Sequence, residues 1–248
     1  EIGFREVHVE KQGQLASLLP EGERYRVSRL KITGVVGGQD IDVIRDMSLY
    51  NPEGPNQGRL SKLDLSEARI VGGQKYTDDN YACIDDTFSD WIFTNCFTLT
   101  EIVLPKTLKT IGMAAFSNTN ITSVFIPKSV TKLSCDAFET SALSIIEVEE
   151  GNTVYYSKNN AIYDKKTGVL VRGCKATSIP EGVVEIGDGA FSSAGVSNVV
   201  LPKSLKTIGA QAFSSNYELR SLFIPASVEK ISQQAFRGCS NLMSITVD

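Results

Sequence analysis

Five cysteines, one histidine and a run of aspartates are the residues of this chain whose chemistry could serve catalysis or metal binding. Cys83, Cys96, Cys135, Cys174 and Cys239 are odd in number, and no two stand at the C-x-x-C spacing of a zinc or redox site. They read as small buried hydrophobes, not as a disulfide framework. A Cys–His nucleophile needs the two side chains to converge. His8, in "REVHVE", has no nucleophile or carboxylate placed around it by any motif and reads as a solvent-facing strand residue. The segment "YTDDNYACIDDTFSD" gathers Asp78, Asp79, Asp85, Asp86 and Asp90, oxygen ligands of the kind calcium accepts, but without D-x-D-x-D-G spacing. A solvated loop is the expectation there. "GVVGGQD" (34–40) lacks both G-x-G-x-x-G and the phosphate-loop lysine. No catalytic residue, metal site or cofactor is assigned.

The bulk numbers narrow the classes further. With 42% hydrophobic and 22% charged residues, 248 residues can bury a full core. The net charge is −4 and the basic residues are scattered, which argues against a nucleic-acid partner. No apolar run approaches the roughly 20 residues a membrane-spanning helix needs. The chain opens at Glu1 with neither Met nor a charged-then-apolar leader, which reads as a removed signal or a trimmed start.

The elements that would position any site announce themselves through repetition. "LPKTLKTIGMAAF" (104–116) returns almost unchanged as "LPKSLKTIGAQAF" (201–213). Pro105, Pro127, Pro180, Pro202 and Pro225 are each followed 11 residues later by Phe116, Phe138, Phe191, Phe213 and Phe236. The successive Phe spacings are 22, 53, 22 and 23, and a degenerate unit ending at Phe93 precedes the first. Periods of this size mark a solenoid whose coils bury their apolar faces only by stacking. In "ITSVFIPKSVTKLSCDAF", Ile121, Val124 and Ile126 have the spacing of a leucine-rich-repeat strand, ended by a proline that has no N–H for a ladder. "SVTKL" reads as a second short extended segment, and "CDAF" as a tight turn that drives Phe138 inward. The five rings are expected to form one core column, and Cys96 and Cys239, three residues after a repeat Phe, to pack beside it.

The pattern carried nearly in full by Leu219 to Leu242, L-x-x-I-x-I-P-x-S-V-x-x-I-x-x-x-A-F-x-x-C-x-x-L in consensus form, resembles the BspA-like leucine-rich repeats of surface proteins from gut and oral anaerobic bacteria. The resemblance covers about residues 88–248. It implies a strand-rich α/β fold: a leucine-rich-repeat solenoid, a right-handed horseshoe-like coil with a parallel sheet on one face and short helices mainly in an N-terminal cap. It also implies a secreted or lipid-anchored protein of the cell envelope. Family members studied as adhesins bind host matrix proteins such as fibronectin and fibrinogen, but no residue motif here carries that activity over.

The 53-residue gap begins as a strand at Leu143, Ile146 and Val148 with Glu149 in the proline slot, and "AIYDKKTGVLVRG" (161–173) reads as a hairpin. Gly151, Asn152, Tyr155, Ser157, Ile162, Tyr163 and Asp164 carry a variant common in BspA-like proteins. The expectation is a widened coil at about 143–180 within one continuous solenoid. Residues 1–87 predict a leucine-rich cap of two helix-strand units: "LASLL" and "DIDVIRDM" helical, "YRVSRLKITG" and "RLSKLDLSEARI" extended, joined by the turn-rich Asn51–Gly58 loop. At the other end "LMSITVD" predicts an edge strand blunted only by Asp248, from which a C-terminal continuation is expected.

One row of positions exceeds what packing requires. Two residues before Pro105, Pro127, Pro202 and Pro225, on the open sheet face, stand Val103, Phe125, Val200 and Phe223, with Glu147 and Thr246 in equivalent slots. Strand propensity alone would choose Val and Phe there; a binding face would choose them too, with Arg220 and neighbouring polar residues as its rim. Three functions follow: a non-catalytic surface adhesion module binding a host or bacterial surface protein, of extracellular-matrix type for instance, or a glycan; a structural spacer or stalk in a larger envelope protein; and, weakest, a glycan-acting enzyme, since no carboxylate pair stands out.

Overall fold

The computed structural model describes residues 3–49, 58–77, 81–139 and 142–248. The Asn51–Gly58 loop, except Gly58, and Asp78 and Asp79 lie outside the described residues.

Each repeat forms one coil, for local reasons visible in all five proline-marked units. The residue three after each proline donates its N–H to the proline carbonyl: Leu108 to Pro105, Val130 to Pro127, Val183 to Pro180, Leu205 to Pro202 and Val228 to Pro225, at 3.0–3.4 Å. Proline ends the strand because it cannot donate, and its fixed φ starts the turn. Eleven residues on, the "AF" turn stacks on its neighbour. Phe93 N–H reaches the Ala115 carbonyl, Phe116 reaches Ala137, Phe191 reaches Ala212 and Phe213 reaches Ala235, at 2.7–2.8 Å. The alanines are buried, so a larger side chain would push adjacent coils apart. Many of these turns hold left-handed backbone, as at Asn95, Asn118, Ser193, Ser215 and Gly238. Ser215, with φ +56°, occupies the slot that Gly238 fills one coil later. Ser215→Gly is expected to raise stability by about 0.5–1 kcal/mol in urea titration, because glycine removes the left-handed penalty.

The strands build two faces. On one, Phe4–Val9, Arg29–Val36, Lys62–Ile70 and Glu101–Val103 form a parallel four-stranded sheet. Two further parallel pairs follow, Ser123–Ile126 with Ile145–Val148 and Ser221–Ile224 with Ser244–Val247. On the other face, short strands form a parallel ladder, with Thr87–Phe88, Thr110–Ile111 and Lys132–Leu133 in one stretch. Leu170–Gly173, Glu185–Ile186, Thr207–Ile208 and Lys230–Ile231 make the second. Among the described residues the helices lie in the first 48, the longest being Gly38–Ser48. It packs closely on the chain beyond it, since a Cβ at Gly38 would lie 2.2 Å from the Lys75 carbonyl oxygen. Buried Asp40 ties its start to the loop before it, accepting from the N–H groups of Gly37, Gly13 and Leu15 at 2.7–2.9 Å. Arg29–Val36 and Lys62–Ile70 occupy the segments read as extended, and Leu15–Leu18 the first segment read as helical.

Two expectations need correction. The phenylalanine column is two stacks, not one. Phe93, Phe116 and Phe138 stack with centroids 5.2–5.7 Å apart, and Phe191, Phe213 and Phe236 at 5.0–5.7 Å. The buried core divides there into two clusters. Between them the long unit inserts three antiparallel strands, Tyr155–Lys158, Ala161–Asp164 and Leu170–Gly173, of which the sequence signalled only the last two as a hairpin. Gly173 takes the place of the missing turn, giving its N–H to the Ala190 carbonyl at 2.8 Å, and a Cβ there would collide with the Phe191 ring at 2.1 Å. Second, no strand forms around Val200. The preceding coil, "CKATSIP", is too short to present a partner strand, and the Ser221–Ile224 strand pairs on its other side with Ser244–Val247.

Candidate functional site

Alternation along each strand sends every second side chain outward. The register therefore lines up rows across the first sheet: Phe4, Arg29, Lys62 and Glu101 in one, Glu6, Lys31, Asp64 and Val103 in the next. The cap half of this face is a charge ladder. Lys31 sits 3.1 Å from both Glu6 and Glu67, and their hydrogen bonds raise its pKa above the ordinary lysine value. Lys62 pairs with Glu101. Toward the repeats the row turns apolar, with Val103 43% and Phe125 53% exposed. Beyond them the same row ends at exposed Glu147, paired in register with Phe125.

Val103 and Phe125 floor a cavity of about 320 Å³ on this face, walled by Pro127 and rimmed by Lys106, Lys128 and Glu149. Glu149, in the slot where other coils have proline, accepts the Lys128 backbone N–H at 2.9 Å, and the Lys128 ammonium lies 3.8 Å from its other oxygen. A second hollow of about 300 Å³, bounded by Phe4, Arg29 and Lys62, shares Val103 with the first.

A family model described as BspA type leucine rich repeat region matches residues 86–167 and 172–248 in six copies. The chain belongs to the BspA-type leucine-rich repeat family. The only residues skipped between the two matched stretches of this BspA-type chain, 168–171, fall in the hairpin that interrupts the column. Solved structures that share the fold include two bacterial proteins. A leucine-rich repeat protein from Eubacterium ventriosum is 18% identical, with a TM-score of 0.59 over 99% of this chain and 68% of that one. The pneumococcal vaccine antigen PcpA is 20% identical, with a TM-score of 0.50 over 89% of this chain and 62% of that one. No curated protein matches the chain by sequence.

The face residues named from the BspA-type pattern are not gathered in one place. Val103 and Phe125 share the cavity, whereas Val200, Phe223 and Arg220 do not line it. Phe223 is 51% exposed on its own strand pair, and Val200 is 83% exposed on unpaired backbone. Arg220 is exposed beside the strand that carries Phe223. Among the described residues no helix is long and apolar enough to cross a membrane, and no three His, Cys, Asp or Glu side chains converge as metal ligands.

The residues with catalytic potential are held by the scaffold. His8 is exposed on the first strand, with Nδ1 2.8 Å from Thr33 Oγ1. Asp85 accepts from Gly72 N–H, Asp90 from Met113 N–H, and Asp86 pairs with Arg69 at 3.2 Å and Lys109 at 3.5 Å. Burial works to raise the Asp86 pKa, but hydrogen bonds from Arg69 and Thr107 and the nearby cations outweigh it and hold the carboxyl below its usual range. The thiols are free, and four of the five are buried, Cys135 being half-buried. Burial pushes Cys83 up to about 11 and Cys96 up to about 12. Since only the thiolate reacts, labelling of the native protein with an aromatic disulfide near pH 8 should modify Cys135 first and leave Cys96 unmodified until unfolding.

Three buried polar side chains hold the coils together, and only Asn152 was singled out by sequence. Asn152 donates to the carbonyls of Pro127 and Val130 and accepts from the N–H groups of Val154 and Tyr155, at 2.8–3.2 Å. Asn216 donates to Phe191 and Phe213 carbonyls and accepts from Val196 N–H. Arg172 donates to the carbonyls of Cys135, Gly189, Ser192 and Phe138 at 2.9–3.3 Å, and desolvation pulls its pKa down from the ordinary arginine value. A signal for Arg172 existed: it alternates with Leu170 on the inward side of "LVRG".

Proposed function

We propose that this protein is a non-catalytic interaction module of the bacterial cell surface, which binds a host or bacterial surface protein through the outward sheet face. Residues 1–87 act as the cap, and residues 88–248 carry the binding face. The observation behind this reading is that Val103, Phe125, Val200 and Phe223 are exposed apolar side chains outside the core, Val103 and Phe125 sharing one cavity on the sheet face. Exposed apolar groups with polar flanks, Arg220 among them, are a mark of interaction surfaces.

The test is a binding screen of the purified protein on immobilised matrix proteins and a glycan array, repeated with Phe125→Ser/Phe223→Ser. The expected result is capture of a protein partner that falls at least about tenfold in the double variant, at unchanged circular dichroism. Unchanged capture would move the binding site off the sheet face, and binding confined to glycans would replace the protein partner.

A further inference from the structure

The cavity between the Glu101–Val103 and Ser123–Ile126 strands has a composition that selects its occupant. At about 320 Å³ it stands at the lower end of the range for ligand clefts, room for one or two side chains and not for a dinucleotide or a helix. Its floor, Val103, Phe125 and Pro127, offers no hydrogen bond from a side chain, so the group that fills it is apolar. The rim supplies the polar part. Glu149 is already engaged by Lys128 through both backbone and ammonium. Lys106, also on the rim, has no hydrogen-bond or ion-pair partner among the described residues. An uncompensated cation beside an apolar floor calls for an anionic partner group adjacent to an apolar one. No side-chain amide lines the cavity, its single carboxylate is engaged by Lys128, and Ser66 supplies its one hydroxyl, a sparser polar set than the several hydroxyls of a sugar require.

We propose that this cavity receives an apolar side chain of a partner polypeptide whose neighbouring Asp or Glu pairs with Lys106. The proposal rests on the sheet-face reading above and narrows it to an acidic-apolar segment of chain. The second hollow, sharing Val103 and bounded by Arg29, continues the groove along the direction such an extended segment would take.

The experiment uses end-capped, fluorescein-labelled hexapeptides in Gly/Ser flanks carrying Phe-Asp-Asp, Phe-Lys-Lys or Ser-Asp-Asp, with binding read by fluorescence anisotropy. Phe-Asp-Asp should bind about tenfold or more tightly than either other peptide. Lys106→Glu should reverse the preference between Phe-Asp-Asp and Phe-Lys-Lys, and added salt should weaken the acidic peptide selectively. Lys106 is exposed and unpaired, so that variant keeps its fold. Equal binding of the three peptides, no binding of any, an unchanged preference in Lys106→Glu, or displacement of the peptide by a neutral oligosaccharide would each overturn the proposal. If protein capture is lost in Phe125→Ser/Phe223→Ser while the peptides fail, this inference falls alone and the sheet-face reading stands.

Discussion

Replacing Arg172 by Met is expected to cost roughly 3–5 kcal/mol, the range for removing one member of a buried polar constellation and leaving its partners unpaired. The guanidinium bridges two turns, Cys135 and Phe138 on one side and Gly189 and Ser192 on the other, between which no backbone hydrogen bond is found among the described residues. Elsewhere in the array such turns are joined directly, as Phe116 N–H to Ala137 carbonyl. Arg172 thus supplies, from a side chain, donors that a regular coil would supply from its backbone. In a repeat array stability is close to a sum of coil and interface terms, so weakening one interface uncouples what lies on either side. Urea unfolding of Arg172→Met should therefore separate into two transitions, and hydrogen exchange should place one N-terminal and the other C-terminal to residue 172. Arg172→Lys should rescue little, because an ammonium has three donors on a point charge and cannot span both turns in a plane. A single transition shifted by less than about 1 kcal/mol would show that the hairpin strands, not the guanidinium, join the halves.

The phenylalanines should show a gradient of comparable size. Phe116 is fully buried, with Phe93 at 5.7 Å, Phe138 at 5.2 Å and Phe88 edge-on at 5.8 Å. Phe116→Ala should cost about 3–5 kcal/mol, the transfer of a ring plus the cavity it leaves between fixed coils. Phe236, half-buried with Phe213 at 5.7 Å as its one ring neighbour among the described residues, should cost about 1–2 kcal/mol on the same substitution. Equal losses at the two sites, measured by urea titration, would mean that burial does not set the scale of the column.

What the sequence could reveal follows from what repeats. The step from Pro202 to Phe213 is legible because a proline and a Phe eleven residues later recur in all five proline-marked units, and each recurrence is independent support for the same local geometry. The outward placement of Val103 and Phe125 is legible for the same reason, since strand alternation fixes it once the proline is located. The cavity they floor was not legible, because Glu149 and Lys128 meet across neighbouring coils only through the pairing register. Val200 went wrong at the same level: its residues read as a strand, but a strand needs a partner, and the shortened coil before it supplies none. Arg172 was hidden because its four acceptors are 17 to 37 residues distant in the chain.

The forward-pointing turn hydrogen bonds give the array a property that reaches past this one molecule. Because Phe191 N–H finds Ala212 and Phe213 N–H finds Ala235 in the same way, each junction presents the same socket and the same plug. Recombination that duplicates or deletes a 22-residue module downstream of Phe191 would rejoin matching ends and leave a working array of altered length. Between Glu139 and Gly173 the ends do not match, so crossover there would be purged. The gene should be elastic on one side of its hairpin and brittle within it.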